Sequence, residues 1–555
     1  LFPYTFPDGL DSEVFPFRIL ERAWKEARLQ SEREHVTPYI WQNPQKFKMF
    51  SVTNKEDLSR LRWCVDEKED FDFVSEIIKR LGADNISFGR IMKLLKKSPE
   101  LMEINRKFSR NEGYAKSLRD DKMKEKKITN FKKSLELLEK AKKLIPSASQ
   151  TYSKSYNYYC EGVAPVFLDR GLGSHVWDLD GNEFIDFVCA LGAVTIGYNN
   201  RRINDAIKAQ LDRGMTFSLP TKLEVDLAEK LSEIIPCAEM SRFVKNGSDA
   251  TSAAVRLARA HTGREMIARC GYHGFQDWYI GSTENSLGVP KAVQALTTTF
   301  NYNDIGSLEK AFEKNRNKIA AVIMEPCQGN GPEKGFLEKV KKITHENCAV
   351  LVFDEVVSGF RMALGGAEEY YKVTPDLASF GKGMANGASI SAIAGQREIL
   401  GLIDKGAFIS MTFGGETVGL TAALETIKIL EKPGSFRHIW AIGEALSKGL
   451  RELIEKKGLS DAAEVNGLPP HCGIVFRQKG PLSSHDLLSV YQQRVIEKGI
   501  LSLGGNNFCL SHTKEEAGEF ISASDIALDD VKKAIEAGGT KGILRGGKFR
   551  PVFKR

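Results

Sequence analysis

Residues 380–395 read FGKGMANGASISAIAG and set one lysine, Lys382, between two glycines at the head of a run of small residues. A solvated lysine usually has polar neighbours. This one lies in apolar text, where desolvation depresses an amine's pKa and frees it for imine chemistry with a carbonyl. Three other stretches carry residues able to serve that chemistry. In VKNGSDATSAAVRLARAH, Asn246, Gly247 and Ser248 lead straight into a helical pattern. Free N–H groups and the dipole at a helix N-terminus attract a phosphate, although Ser248 and Asp249 also suit simple capping. In AVLVFDEVVSGFR, Asp354 closes an apolar run, where a carboxylate needs a cation or a donor. Arg361 is one available partner, and a proton on a heterocyclic nitrogen is another. In GYHGFQDWY, Tyr272 and His273 follow the strand-like EMIARC, and an aromatic there serves either core packing or ring stacking.

The elements that must position these residues read as α/β. IAAVIMEP, AVLVFDEV and ISAIAG are short apolar runs separated by helical patterns, as in a mostly parallel sheet covered by helices on both faces. Ligands of such sheets gather at the carboxyl ends of the strands, which is where Asp354 and Tyr272 fall. The chain has 555 residues, more than one core usually supports, so at least two domains are expected. The boundary is placed at LRDDKMKEKK, with a first domain over 1–117, a charged linker over 118–129, a second domain over 130–538 and a basic tail over 539–555. That tail, KGILRGGKFRPVFKR, reads as a solvated end.

Composition narrows the function classes. Lys and Arg total 79 against 72 Asp and Glu, a balance that gives no reason to expect a nucleic-acid partner. No apolar run is long enough to suggest a membrane span. Nine cysteines without a CxxC pair argue against a disulfide framework or a structural zinc site and point to a reducing, cytoplasmic setting.

Taken together and in order, NGSDAT, GYHG, VFDEVVSGFR and SFGKGMANG resemble the class III, fold type I aminotransferases that use pyridoxal 5′-phosphate (PLP). The resemblance covers residue 130 to about 535 and is strongest to the glutamate-1-semialdehyde 2,1-aminomutase branch, whose pattern VWDLDGNEFIDFV and LSHTKEE also echo. It implies that Lys382 binds the cofactor covalently and carries a proton between substrate and cofactor, while Asp354 pairs with the ring nitrogen. Tyr272 and Val356 would face the two sides of the ring, with His273 beside it, and Asn246, Gly247 and Ser248 would hold the phosphate. Thr412 in MTFGGET would reach the phosphate of a neighbouring subunit, so a homodimer with shared sites is implied. The small carboxyl-terminal part is expected to be α+β.

The departures from that pattern fall at substrate-side positions. Asn330 in EPCQGNG agrees with the aminomutase branch. The branch's arginine-bearing segment is replaced by SASQTYSKSYNYY, its tryptophan by Leu191, and an asparagine by Glu416. A rebuilt pocket for a small amine and a sugar-like carbonyl compound is therefore expected, in place of glutamate semialdehyde. The front segment supports a sugar. YTFPDGLDSEVF, SEREHVTPYIW and LRWCVDEKEDF resemble the carboxyl-terminal half of the spore-coat-polysaccharide type of cytidylyltransferase, a partial α/β nucleotidyltransferase domain in which Asp66 would match a Mg2+ ligand. That family's nucleotide-binding loop would precede Leu1, so CTP-dependent activation of an acidic sugar is an alternative for a longer parent chain only.

Overall fold

The apolar runs that end on polar residues form the middle of a seven-stranded sheet. The computed structural model describes residues 3–108 and 110–550, so the last five residues of the basic tail lie outside the described residues. In chain order the strands are β1 (Met240–Val244), β2 (Met266–Cys270), β3 (Thr297–Thr299), β4 (Ile319–Met324), β5 (Val350–Asp354), β6 (Leu377–Phe380) and β7 (Ser391–Gly395). Their spatial order is β1-β7-β6-β5-β4-β2-β3. Only β7 runs antiparallel to its neighbours, so the other six strands point their carboxyl ends to one edge.

Strand β5 shows why its text is unbroken apolar. Side chains alternate across a sheet, and Val350 and Val352 enter one buried cluster while Leu351 and Phe353 enter another on the opposite face. The helix Gly247–Thr262 covers the first face, and its buried Ala250, Ala253, Ala254 and Ala258 allow a close approach. The helix Thr417–Leu430 lies on the second face with Leu420, Ala422, Ala423 and Ile427 buried. A four-stranded sheet, a hairpin of Ala463–Leu468 with His471–Phe476, and the helices Ser435–Lys456, Ser484–Glu497 and Lys514–Ala537 complete this part.

The chain divides into two compact units, Leu1–Glu125 and Lys126–Arg555. The first is helical: Phe17–Glu26, Lys68–Leu81, Phe88–Lys97 and Glu112–Glu125 are its longer elements. Among its described residues there is no strand, only an isolated bridge between Asp8 and Arg62, which departs from the α/β fold expected of a nucleotidyltransferase domain. Its short apolar stretches are broken by proline, glycine and charged residues and find no ladder partner.

The structure corrects one expectation about a charged segment and adds contacts to another. Leu118–Glu125, read as part of an exposed linker, is helical with Asp121 buried. The Asp121 carboxylate accepts from the backbone N–H groups of Gln30 and Ser31, each at 3.0 Å, and so caps a neighbouring helix; a buried polar cap leaves no trace in hydrophobic patterning. The basic tail is tethered to the protein, while Lys541, Gly542, Arg545, Lys548 and Arg550 stay exposed as a solvated end would. Arg545 pairs with Glu497 and Lys548 with Asp486, each at 2.5 Å, and the N–H groups of Gly547 and Arg550 donate to the Glu161 and Asn157 carbonyls. Complementary carboxylates on the Ser484–Glu497 helix hold it.

Candidate active site

The residues singled out around Lys382 converge on the carboxyl edge of the sheet. Strands β5 and β6 are parallel neighbours in which Asp354 pairs with Ser379, and Lys382 follows three residues later in the turn leaving β6. Adjacent strands lie about 4.8 Å apart, so Asp354 and the Lys382 turn share one small region. Val356 ties that region to the phosphate turn. A Cβ on Gly247 would meet Val356 Cγ1 at 2.8 Å, and one on Gly381 would meet it at 3.7 Å.

The lysine turn is held in an uncommon conformation. Lys382 has φ +39°, a left-handed backbone that costs a non-glycine residue roughly 1–3 kcal/mol. The surroundings enforce it: Asn386 Oδ1 accepts from the N–H groups of Thr195, Ile196 and Gly197, pinning the turn. The flanking glycines make room for neighbours. A Cβ on Gly381 would lie 2.6 Å from Ser391 Oγ, and one on Gly383 2.6 Å from Thr195 Oγ1.

Asp354 is buried, and its counterpart is His273. Nδ1 of His273 lies 2.7 Å from Asp354 Oδ2, and Nε2 lies 3.1 Å from the Cys270 carbonyl. A carbonyl only accepts, so Nε2 carries a proton. The Val356 N–H donates to Asp354 Oδ1 at 3.2 Å. The alternative partner, Arg361, goes elsewhere: it donates to the Gly192 carbonyl at 2.8 Å and to that of Phe508 at 3.2 Å. Tyr272 stands at the mouth, half exposed, with its N–H donating to Glu325 at 2.7 Å. Burial and then the charge of Asp354 push its phenol upward.

At the phosphate turn the cap is Asn246. Its side chain accepts from the Asp249 N–H, and Asp249 returns a bond to the Asn246 N–H, which leaves Gly247 and Ser248 as the first N–H groups of a 16-residue helix. Ser248 Oγ accepts from the Phe275 N–H at 3.3 Å, which leaves its hydroxyl able to donate. The residues present fit PLP: a carboxylate for the ring nitrogen, a lysine amine, a helix N-terminus for the phosphate and a glycine packed against Val356 where a Cβ would intrude.

Other expected positions are engaged by the protein itself. Asn330 Oδ1 accepts from the Gly467 N–H at 3.0 Å. Glu416 caps the Thr417–Leu430 helix and pairs with Lys245 at 3.0 Å. Thr412 is exposed, between Met411 and Phe413. Asp66 does not suit Mg2+, which demands near-octahedral oxygen ligands. Arg62 pairs with Asp66 at 3.2 Å and with buried Asp70 at 2.8 Å, so a guanidinium already occupies the place, and burial pushes the nearby Cys64 thiol up to about 12. Sequence reasoning missed Asn386, Glu325 and Thr251, whose hydroxyl donates to the His273 carbonyl at 2.9 Å. The asparagine two residues past Met384 in the glycine-rich turn was the available signal.

The fold and these groups define a fold type I PLP-dependent transferase, and residues 158–509 match the model of the family described as aminotransferase class-III, to which this chain belongs. Among its relatives, a 3-aminobutyryl-CoA aminotransferase of Cloacimonas acidaminovorans (strain Evry) is 36% identical over 73% of this chain and 98% of its own. A glutamate-1-semialdehyde 2,1-aminomutase of Desulforamulus reducens is 36% identical over 60% of this chain and 80% of its own. The FumI protein of Sphingopyxis sp. MTA144, solved in a PLP form, aligns with a TM-score of 0.67 at 29% identity, over 73% of this chain and 97% of that one.

Proposed function

We propose that this enzyme moves an amino group between a small amine and a polar, sugar-like carbonyl compound. The observation that carries the amino-transfer chemistry is the meeting of Asp354, the Lys382 turn and the Asn246–Ser248 helix start at one sheet edge, joined through Val356. Bound PLP supplies a conjugated ring that spreads the negative charge left on a carbon when its proton departs. Asp354, oriented by His273, holds a proton at the ring nitrogen. Lys382 would hold the cofactor through Nζ, and the same amine would take and return the substrate proton. The N–H groups of Gly247 and Ser248 would bind the phosphate, and Tyr272 would flank the ring.

The sugar-like acceptor is favoured by the departures at Leu191, Glu416 and SASQTYSKSYNYY, which fall at substrate-side positions. The similarity to the 3-aminobutyryl-CoA aminotransferase favours a second reading, a β-carbonyl acyl thioester as acceptor. A homodimer with Thr412 facing the partner's phosphate is part of the proposal. Exposed Met215, Phe217, Met411 and Phe413 lie on segments joined by the Thr417 N–H bond to the Met215 carbonyl, an apolar surface of the kind that dimers cover.

Half-reactions test the assignment. The PLP-loaded enzyme is mixed with amino sugars, β-amino acyl thioesters and simple amino acids, and loss of the aldehyde-form absorbance is followed. Conversion by amino sugars supports the leading reading, conversion by the thioesters alone moves the assignment to the second, and reaction with amino acids only removes both.

A further inference from the structure

Outside the site, a second group of reactive side chains is buried where the segment after Asp186 meets the segment 505–512. Cys189 Sγ, Cys509 Sγ and His512 Nδ1 lie within 4.8 Å of one another, and all three residues are at most 1% exposed. His512 Nδ1 accepts from the Cys509 N–H at 3.0 Å and stands 3.3 Å from the Cys509 sulfur, within reach of that thiol's proton. Buried cysteine is ordinarily inert, and these two could be simple packing.

Arg361 argues otherwise. It is 1% exposed, and among the described residues no carboxylate pairs with it; its guanidinium meets only carbonyls, those of Gly192, Phe508 and Pro470. Gly192 is three residues from Cys189, and Phe508 adjoins Cys509. A buried guanidinium needs an anion nearby, and the thiol pair is the group placed to become one. The same positive charge disfavours a metal cation between these sulfurs. The neighbouring Cys189 thiol, which also lies 3.4 Å from the Asp186 carbonyl and 3.3 Å from that of Asn507, draws the Cys509 thiol well below its ordinary range, while burial holds Cys189 up.

We propose that Cys189 and Cys509 are a redox-active dithiol that closes to a disulfide when hydrogen peroxide reaches it. The Cys509 sulfur attacks one peroxide oxygen, the O–O bond breaks, and a first water leaves with the thiol proton passed through His512. The Cys189 sulfur then attacks the oxidised Cys509 sulfur, the S–O bond breaks and a second water leaves. Two thiols and one peroxide thus give one disulfide and two waters. An S–S bond of roughly 2 Å needs both side chains to move together. Cys189, Ala190 and Leu191 all have left-handed backbones, φ +49°, +51° and +62°, so the bond would fix a strained strap that carries Leu191, a substrate-side position.

The test treats the full chain with hydrogen peroxide, unfolds it in N-ethylmaleimide and maps peptides by mass spectrometry without reduction. Exposed Cys348 reports that oxidant was present, and buried Cys160 is the packing control. The expected result is a Cys189–Cys509 cross-linked peptide that dithiothreitol removes. In Cys189→Ser, Cys509 should be trapped by dimedone at least several-fold more than Cys160. The proposal is overturned if Cys348 oxidises while both thiols stay alkylatable in the unsubstituted protein, or if Cys509 takes up no more dimedone than Cys160. The readout is covalent and independent of turnover, so its failure leaves the amino-transfer reading standing.

Discussion

His273 and Asp354 face each other at 2.7 Å at the base of the candidate site, the histidine fully buried and its far nitrogen committed to the Cys270 carbonyl. The pair fixes how the carboxylate is aimed before any cofactor arrives, because rotation of Asp354 would break both this bond and the one from the Val356 N–H.

On the proposed assignment, replacing Asp354 with alanine would remove the group that keeps the ring nitrogen protonated, and it leaves His273 without the partner at 2.7 Å. Removing one preorganised electrostatic group costs about a hundred- to thousandfold in turnover. The same loss is expected here, together with weaker PLP retention, checked by steady-state rates and by cofactor absorbance after dialysis.

Gly247→Ala introduces a methyl 2.8 Å from Val356 Cγ1 where the phosphate turn begins. Overpacking of about 1–3 kcal/mol falling on the bound state weakens PLP binding by roughly ten- to a hundredfold. Titration of the apoenzyme with PLP measures it, and a Gly335→Ala control, where a Cβ meets nothing but φ is +80°, separates backbone strain from crowding.

Glu368 sets a pH dependence. Burial, and then the neighbouring Glu355 carboxylate, push its carboxyl up to about 8 against the lowering effect of the Cys237 thiol at 3.2 Å and N–H at 3.0 Å. The folded state therefore keeps a proton that the unfolded chain releases near its ordinary value of about 4.3. Stability contributed by this group is present at low pH and is lost as pH rises through that window toward 8. Glu368→Gln keeps an acceptor for the Cys237 N–H and should flatten the loss, seen as a smaller fall in melting temperature between pH 5 and roughly pH 8.

In the first unit, Arg62→Leu strands Asp70, a buried carboxylate that the arginine and Asn105 hold down at about 2. Breaking a buried pair from one side costs roughly 3–5 kcal/mol. Denaturant unfolding of the full chain should show an early transition in the variant, followed by the fluorescence of its six tryptophans, of which Trp24, Trp41 and Trp63 lie on that unit.

Much of the site was legible in the sequence for a physical reason: parallel strands bring their carboxyl ends to one edge, so Asp354 closing one apolar run and Lys382 following the next had to lie near each other. Which base would face Asp354 was not legible. Arg361 is near in sequence and His273 is distant, and only the sheet order brings the turn after β2 to Asp354. The charge run at the end of the first unit misled, because the buried cap Asp121 depends on a helix packed from elsewhere in the chain, and the carboxylates Glu497 and Asp486 that tether the basic tail were hidden for the same reason. The pair Cys189 and Cys509 was hidden likewise, since nothing in either local stretch announces its partner.

The most direct test of the account is where the cofactor is attached. The PLP-loaded enzyme is reduced with borohydride, digested and mapped by mass spectrometry. The account predicts cofactor mass on the peptide containing Lys382, loss of that label in Lys382→Ala, and no other lysine labelled to comparable extent. Labelling of a different lysine, with Lys382 recovered unmodified, would contradict it.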